Sequence, residues 1–304
     1  MSVSELRSRL KNGLRDHRLY GEEAPQPGRR ARVAEIARNV AIGIGATSLR
    51  GTAVQFEYRG HKIPADLAEM TGGGAETWEA IALAHLDYYQ RWTPLTSTDA
   101  VLEIGCGIGR DALHLVDIIE PPGRYVGMDV TAPSIRWCKE NITRDHSNFR
   151  FVHLDVRSPM YNPSGAFTTD DVEFPLSDRS FDLVFLHSVF THMFRDAIEH
   201  YLVEIARVLK STGHVMVSFF IAEDASLAAA AANGSAQTFR FPADGADRIN
   251  DADHPEAAVG FTLESIEAMA QGAGLKVTQD HRGFWSGLHP DAPNGQDIVI
   301  LELL

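Results

Sequence analysis

The sequence predicts an α/β fold with a doubly wound, mostly parallel sheet of seven strands, an antiparallel last strand and helices on both faces. From residue 99 onward, short apolar runs alternate with amphipathic helical segments, which is the pattern of a parallel sheet. Three glycines at every second position follow the first apolar run, as in a strand–turn–helix unit. The last two apolar runs are joined by a connection too short for a crossover helix, so they should pair antiparallel.

The strands are expected where four to eight apolar, β-branched or aromatic residues lie between turn signals. They are predicted at residues 101–104, 125–130, 149–154, 181–187, 214–221, 275–279 and 297–304. Helices are predicted at residues 77–92, from about Arg110 onward, and at 132–142, 195–209, 225–232 and 263–272. Thr262 suits the N-cap of the last helix, because its hydroxyl can accept a backbone amide of the first turn. Residues 156–180 are polar and long for a connection, which favours a functional loop.

Two segments lie outside this alternating core. Residues 1–75 contain helical spacing at 1–20 and 30–42 and a short strand at 55–60, and we expect them to form an N-terminal helical cap. Gly72–Gly74 are three consecutive glycines and are predicted to be a hinge. Residues 76–304 form the main domain, in which the alanine-rich and acidic residues 222–260 are an insertion that we interpret as a lid.

Composition excludes several classes of protein. The chain has 304 residues, 44% hydrophobic and 23% charged, which is ordinary for a globular protein. A net charge of −13 argues against a nucleic-acid partner, since such proteins present a basic face. We found no apolar run of the roughly 18 residues that a membrane span needs and no export signal. Two cysteines without a metal or disulfide spacing indicate a reduced, cytoplasmic protein, and its oligomeric state is left open.

The most informative motif runs from Glu103 to Gly109 and reads Glu-x-Gly-x-Gly-x-Gly. A dinucleotide fingerprint needs glycine at the first, third and sixth positions, and here the sixth is Arg110, which argues against a nicotinamide dehydrogenase. The motif resembles motif I of class I S-adenosylmethionine-dependent methyltransferases. The resemblance covers about residues 77–304 and implies their Rossmann-like sheet and S-adenosylmethionine as the cofactor.

Acidic residues at the next two strand ends extend the candidate site. Asp129 lies about 20 residues after the glycine loop, where a carboxylate can accept both hydroxyls of a ribose. The resemblance implies the same role for Asp129, and it places Asp155 at the adenine amino group with Val156 supplying an amide. It also places Glu103 near the methionine moiety, and a buried acid there would suit a cationic ligand. The full set of cofactor-binding residues predicted in this way is Glu103, Gly105, Cys106, Gly107, Gly109, Asp129, Val130, Asp155, Val156 and His187.

The loop of residues 187–193 follows the fourth strand and, by the resemblance, faces the methyl-donating sulfonium. His192 is the predicted general base, because an imidazole with an ordinary pKa of about 6.5 suits removal of a hydroxyl proton. His187 is the reserve candidate and is expected to contribute its backbone carbonyl to the cofactor site. The loop resembles those of bacterial methyltransferases that act on sugars and secondary metabolites, which favours O-methylation of a carbohydrate, a glycosylated compound or another small molecule.

Three alternatives stay open at this point. N-methylation is disfavoured because no Asn/Asp-Pro-Pro-Tyr motif follows strand four, and C-methylation is not excluded. A non-catalytic cofactor-binding module on the same fold is the third alternative. No metal is predicted, since the chain has no HExxH or CxxC motif; Asp170 and Asp171 are the one adjacent acid pair near a mouth loop.

Overall fold

The computed structural model describes residues 54–243, 245 and 247–304. Its centre is a seven-stranded sheet of β3 (Ala100–Ile104), β4 (Arg124–Asp129), β5 (Phe149–His153), β6 (Phe181–Leu186), β7 (Leu209–Phe219), β11 (Leu275–His281) and β12 (Asp297–Leu303). The spatial order is β11-β12-β7-β6-β3-β4-β5. Strands β3 to β7 pair in parallel, and β12 is antiparallel to both of its neighbours. The predicted fold class is therefore confirmed.

Helices cover the sheet, which is why its central strands are apolar at nearly every position. They are α1 (Ala65–Met70), α2 (Trp78–Trp92), α3 (Ala112–Leu115), α4 (Ala132–Cys138), α5 (Arg195–Val208), α6 (Asp224–Asn233) and α7 (Leu263–Gly272). A π-helical turn at Lys139–Thr143 extends α4. The apolar faces of α5 and α7, with Leu202 and Ile266, are buried in one cluster with Leu102 of β3 and Val215 of β7. Thr262 caps α7 as predicted, because its hydroxyl accepts the amide of Ser265 at 3.1 Å.

The boundary between α5 and β7 differs from the prediction. The helix ends at Val208 and the strand begins at Leu209, whereas the sequence suggested a turn at Gly213 and a strand from residue 214. Leu209 pairs with Phe181, and the register then jumps so that His214 pairs with Leu183. Residues 210–213 are therefore an irregularity inside the sheet and not a separate turn.

Residues 54–75 form a hairpin and a short helix. The strands β1 (Gln55–Tyr58) and β2 (His61–Pro64) are antiparallel, joined by Arg59 and Gly60 with φ of 49° and 80°. Two positive φ values fit a tight hairpin turn. The strand predicted at 55–60 is therefore present at 55–58, and residues 59–60 form the turn to a second strand that was not predicted. The hairpin packs on the main domain, where Trp137 Nε1 donates to the carbonyl of Lys62 at 3.2 Å. The helices predicted at 1–20 and 30–42 lie outside the described residues.

The insertion at residues 222–260 is folded around its own small core. It contains α6 and three short strands, β8 (Phe241–Pro242), β9 (Arg248–Ile249) and β10 (Val259–Gly260), which form a separate sheet. Phe239 and Ala230 are buried there against Phe220 and Trp285 of the main domain. Arg195 of α5 also holds Asp247 through two hydrogen bonds of 3.0 and 2.7 Å. Movement of the insertion as a lid stays a prediction.

We expect Arg195→Ala to lower the free energy of unfolding by at least about 2 kcal/mol, since Asp247 would be left buried without its cation. Urea unfolding would measure the change. Arg144→Ala is the matched control, because Arg144 also donates two hydrogen bonds to one carboxylate, that of Asp145, on the surface. That exposed pair should contribute little to stability, because water and salt screen it. Equal effects of the two variants would contradict the proposed anchoring role.

Among the described residues, none of the helices has both the length and the apolar composition that a membrane crossing requires.

Candidate functional site

The glycine loop lies between the carboxyl end of β3 and the start of α3, as predicted. Gly105 and Gly107 have φ of +79° and +50°, values that side-chain-bearing residues rarely adopt. A Cβ atom on Gly105 would come within 2.4 Å of Val189 Cγ2, and one on Gly107 within 2.3 Å of Thr71 Oγ1. The loop is therefore enclosed by the segment after β6 on one side and by residues near α1 on the other.

We expect Gly107→Ala to disturb this loop strongly, because it combines a positive φ with a steric clash against Thr71. Gly272→Ala is the control, since a Cβ there meets nothing within 4 Å and its φ is not positive. Calorimetric titration with S-adenosylhomocysteine should show a loss of at least about tenfold in affinity for Gly107→Ala and no loss for the control. Equal affinities would contradict the proposed close fit of the loop.

Asp129 ends β4 beside the glycine loop and is buried. Its Oδ2 accepts the amide of Gly107 at 2.7 Å, and its Oδ1 accepts the amide of Thr131 at 2.7 Å. Burial raises the pKa of Asp129, although the two amide hydrogen bonds oppose this shift. The carboxylate thus links the glycine loop to the turn after β4, in which the predicted Val130 also lies. Each of its oxygens keeps a second lone pair for a ligand hydroxyl.

Asp155 and Val156 follow β5 at the same edge of the sheet. Asn162 donates to Asp155 Oδ1 at 3.1 Å and to the carbonyl of Val156 at 3.0 Å, so one amide group orients both residues. Val156 is buried, whereas Asp155 is partly exposed. The polar loop predicted at 156–180 therefore supplies Asn162, which orients the carboxylate of Asp155 at the end of β5. Asn162 was not predicted, and its position within a polar loop gave no distinguishing signal.

Glu103 lies on β3 beneath the loop and is 6% exposed. Its partner is the hydroxyl of Tyr125 on the neighbouring strand, and not a cationic side chain. Burial, together with the nearby Asp111, raises the pKa of Glu103 well above its usual range. Cys106 is buried as well, and a Cβ on Gly127 would come within 2.9 Å of its Sγ. The Cys106 thiol therefore packs against the sheet. Its backbone N–H donates to the carbonyl of Met128 at 3.1 Å and its carbonyl accepts the amide of Gly109 at 2.8 Å, so its predicted contact with a ligand stays a prediction.

Arg110 connects the glycine loop to residues 71–72. Its Nη1 donates to the carbonyl of Gly72 at 2.6 Å and to that of Thr71 at 3.3 Å, while its Nε lies 3.5 Å from Asp111 Oδ1. Thr71 Oγ1 in turn accepts the amide of Ile108 at 3.0 Å. Gly72, the first residue of the predicted hinge at Gly72–Gly74, is thus hydrogen-bonded to Arg110 next to the glycine loop. Motion of the hinge stays a prediction.

His187 lies directly after β6, in a turn where Ser188 has a φ of 59°. Its ring stacks on that of His85 with centroids 3.7 Å apart, and its Nε2 lies 3.0 Å from the hydroxyl of Tyr89. Asp111 accepts from both His85 and Tyr89. His85, Tyr89 and Asp111 were not predicted as site residues. The spacing of His85 and Tyr89, four residues apart on one face of a helix, was the signal that could have indicated them.

His192 ends a short 3₁₀ turn at Phe190–His192 after β6. Its Nδ1 is 2.9 Å from the backbone carbonyl of Glu256 in the insertion. A carbonyl only accepts, so Nδ1 carries the proton and, in the neutral ring, Nε2 carries the lone pair. Burial lowers the pKa of His192, which keeps the ring neutral at pH 7.

The acid pair Asp170–Asp171 has a structural role in part, since Asp171 accepts a hydrogen bond from Thr168 Oγ1 at 2.7 Å.

Residues 102–217 match the family model described as methyltransferase domain. The chain is 24% identical over 131 residues to the tRNA N(3)-cytidine methyltransferase METTL2 of Gallus gallus, a match covering 42% of this chain. That match spans 32% of the length of the relative.

Two solved structures are similar in fold. One is a TehB-like methyltransferase from Corynebacterium glutamicum, with 15% identity and a TM-score of 0.43, covering 92% of this chain and 100% of that one. The other is the 1,6-didemethyltoxoflavin-N1-methyltransferase of Burkholderia thailandensis, with 16% identity and a TM-score of 0.44, covering 75% and 89%.

The family match starts within β3 and ends within β7, so it includes the glycine loop and the carboxylates after β4 and β5. Its span is the part of the sheet from which the predicted cofactor site is built. Glycines occupy the loop positions where a Cβ atom would clash, and such positions fit a site whose backbone a ligand approaches closely. Residues 102–217 are thus a methyltransferase domain, built on the Rossmann-like sheet of S-adenosylmethionine-dependent enzymes.

Proposed function

We propose that this protein transfers a methyl group to a hydroxyl oxygen of a carbohydrate, a glycosylated compound or another small molecule, with His192 as general base. The observation that carries this proposal is the hydrogen bond from His192 Nδ1 to the carbonyl of Glu256. It fixes the ring in the tautomer whose Nε2 can accept a proton. His192 lies in the loop after β6, three positions beyond Val189, which lies against Gly105.

The cofactor would be held by residues at the ends of three neighbouring strands, β3, β4 and β5. When bound, S-adenosylmethionine supplies an electrophilic methyl group on a sulfonium. Asp129 would accept the ribose hydroxyls, and Asp155, oriented by Asn162, would accept the adenine amino group. The glycine loop would approach the methionine part, with Glu103 beneath it. Ligands of open α/β sheets bind outside the carboxyl ends of the strands, which supports this assignment.

His192 would remove the proton that the acceptor hydroxyl loses as the new bond to oxygen forms. Because burial lowers the pKa of His192, the ring is unprotonated at neutral pH and available as a base. The bond to Glu256 also couples the base to the insertion, so that segment would help to orient the ring and to exclude water from the reaction centre. Alignment of donor and acceptor would supply much of the remaining rate.

A nucleic-acid acceptor is the main competing proposal, because METTL2 is a tRNA methyltransferase. The net charge of −13 opposes it, since a phosphate backbone is bound by a basic surface. We therefore propose a small-molecule acceptor. The cytoplasmic location inferred from the sequence stays a prediction.

Acceptor class can be tested with full-length protein and S-adenosylmethionine labelled in its methyl group. Matched pairs that differ only in a hydroxyl or an amine, such as a sugar and its amino-sugar analogue, would be offered beside unmodified tRNA. We expect label on the hydroxyl members. Label on the amines would contradict O-methylation, and label on tRNA would contradict a small-molecule acceptor. Cofactor binding without transfer to any fraction of a cell extract would favour the non-catalytic module.

A further inference from the structure

Four side chains next to the glycine loop form one hydrogen-bonded chain, which we call the His85–His187 cluster: His85, Tyr89, Asp111 and His187. Asp111 Oδ2 lies 2.7 Å from His85 Nδ1 and 2.6 Å from the hydroxyl of Tyr89. The Tyr89 oxygen lies 3.0 Å from His187 Nε2. His85, Tyr89 and Asp111 are buried and His187 is half-buried, so the cluster leads from the interior to the loop after β6.

The direction of each hydrogen bond follows from the chemistry of the donors and acceptors. An ionised carboxylate only accepts, so both His85 Nδ1 and the Tyr89 hydroxyl donate to Asp111. Because the Tyr89 hydroxyl donates its one proton to Asp111, its oxygen can only accept a hydrogen bond from His187. His187 Nε2 must therefore carry a proton, and a neutral His187 ring has its lone pair on Nδ1.

The protonation states agree with this arrangement. Burial pulls the pKa of Asp111 upward, but the facing His85 and its hydrogen bond outweigh this, so Asp111 is ionised. Burial and the neighbouring His85 hold the pKa of His187 well below its usual value, so its ring is neutral. Burial raises the pKa of Tyr89 well above 10, so the phenol keeps its proton.

We propose that Tyr89 and Asp111 are positioning residues that fix His187 as the Nε2–H tautomer, so that His187 Nδ1 accepts a hydrogen bond from the methyl acceptor. Tyr89 is the hydrogen-bond partner of the His187 ring among the described residues, which leaves Nδ1 available. His187 lies at the carboxyl end of β6, two residues before the Val189 contact with Gly105. The acceptor would therefore be a molecule that presents an O–H or N–H donor there, a statement that rests on the proposed function.

A metal site is the competing interpretation, because ligand atoms of His85, Asp111 and His187 all lie within 4.8 Å of one another. The geometry opposes it. The two imidazole planes are stacked at 3.7 Å with an angle of 16° between them. Nitrogen lone pairs lie in the ring plane, so one ion cannot meet both rings without a large rotation. The space between His85 and Asp111 is also closed by their hydrogen bond.

The tautomer of His187 can be tested without knowledge of the acceptor. Full-length protein with ¹⁵N-histidine and bound S-adenosylhomocysteine would be studied by long-range ¹H–¹⁵N correlation spectroscopy, with His187→Gln identifying the signals. We expect a protonated Nε2 and a bare Nδ1. Tyr89→Phe should mix the two tautomers. Tyr88→Phe is the matched control, because the neighbouring Tyr88 is equally buried and its hydroxyl has no partner within the described residues.

Three results would overturn the proposal. They are an Nδ1–H or doubly protonated His187 at neutral pH, an unchanged spectrum in Tyr89→Phe, and one equivalent of a transition metal in the purified protein by elemental analysis. With an acceptor that proves active, Tyr89→Phe should lower kcat/KM about five- to tenfold and leave cofactor affinity unchanged. If no acceptor is methylated, the proposed function fails, while the tautomer result still decides the role of Tyr89.

Discussion

Asp129→Ala is expected to weaken binding of S-adenosylmethionine and S-adenosylhomocysteine at least about tenfold. The carboxylate would provide charge-assisted hydrogen bonds to two ribose hydroxyls, each contributing roughly 1.5–3 kcal/mol. The substitution also removes the acceptor for the amides of Gly107 and Thr131, so the glycine loop would lose part of its support. Isothermal titration calorimetry would measure both affinities.

A second variant separates these two effects. Asp129→Asn keeps the shape and one acceptor oxygen but lacks the charge, so it should lose affinity while its thermal unfolding changes less than that of Asp129→Ala. Asp291→Ala, at an exposed position away from the strand ends, is the control. Because burial raises the pKa of Asp129, wild-type affinity should start to fall at a higher pH than for an ordinary aspartate. Wild-type affinity in both Asp129 variants would refute the assignment.

His192→Ala is expected to reduce turnover by about 10²-fold or more at neutral pH while cofactor affinity holds. The proposed base would be gone, and only alignment of the reactants would remain. In the wild type, the acidic limb of the pH–rate profile should lie below pH 6.5, because burial lowers the pKa of His192 and protonation removes the base. This limb should disappear in the variant.

Two further variants separate the basic role of His192 from its contact with the insertion. His192→Asn retains an N–H donor for the Glu256 carbonyl but has no basic nitrogen, so it should be as inactive as His192→Ala. His200→Ala is the matched control, because His200 Nε2 likewise bonds a backbone carbonyl, that of Val172 at 2.6 Å, outside the proposed site. A His192→Asn variant with wild-type turnover and the same acidic limb would assign proton removal to another group.

Much of the fold could be predicted because its signals are local. The strands at β3 to β6 are short apolar runs between turn residues, and the Thr262 cap needs only neighbouring atoms. The prediction that was wrong, a turn at Gly213 before a strand from residue 214, concerns pairing. Where β7 joins β6 depends on Phe181 and Leu183, which lie far from residues 209–214 in the chain. The strand predicted at 55–60 is present at 55–58, but its partner at 61–64 was not predicted.

The order of the strand-end groups, from the glycine loop through Asp129 and Asp155 to His187, could be predicted from the residues alone, because a parallel sheet aligns its carboxyl ends. What those groups contact depends on how distant segments pack together. The partner of Glu103 is Tyr125, 22 residues away, and that of His192 is Glu256, 64 residues away. His187 meets Tyr89 from a helix 98 residues earlier. Protonation states depend on burial and on such distant partners, so sequence spacing could name the histidines but could not fix their tautomers.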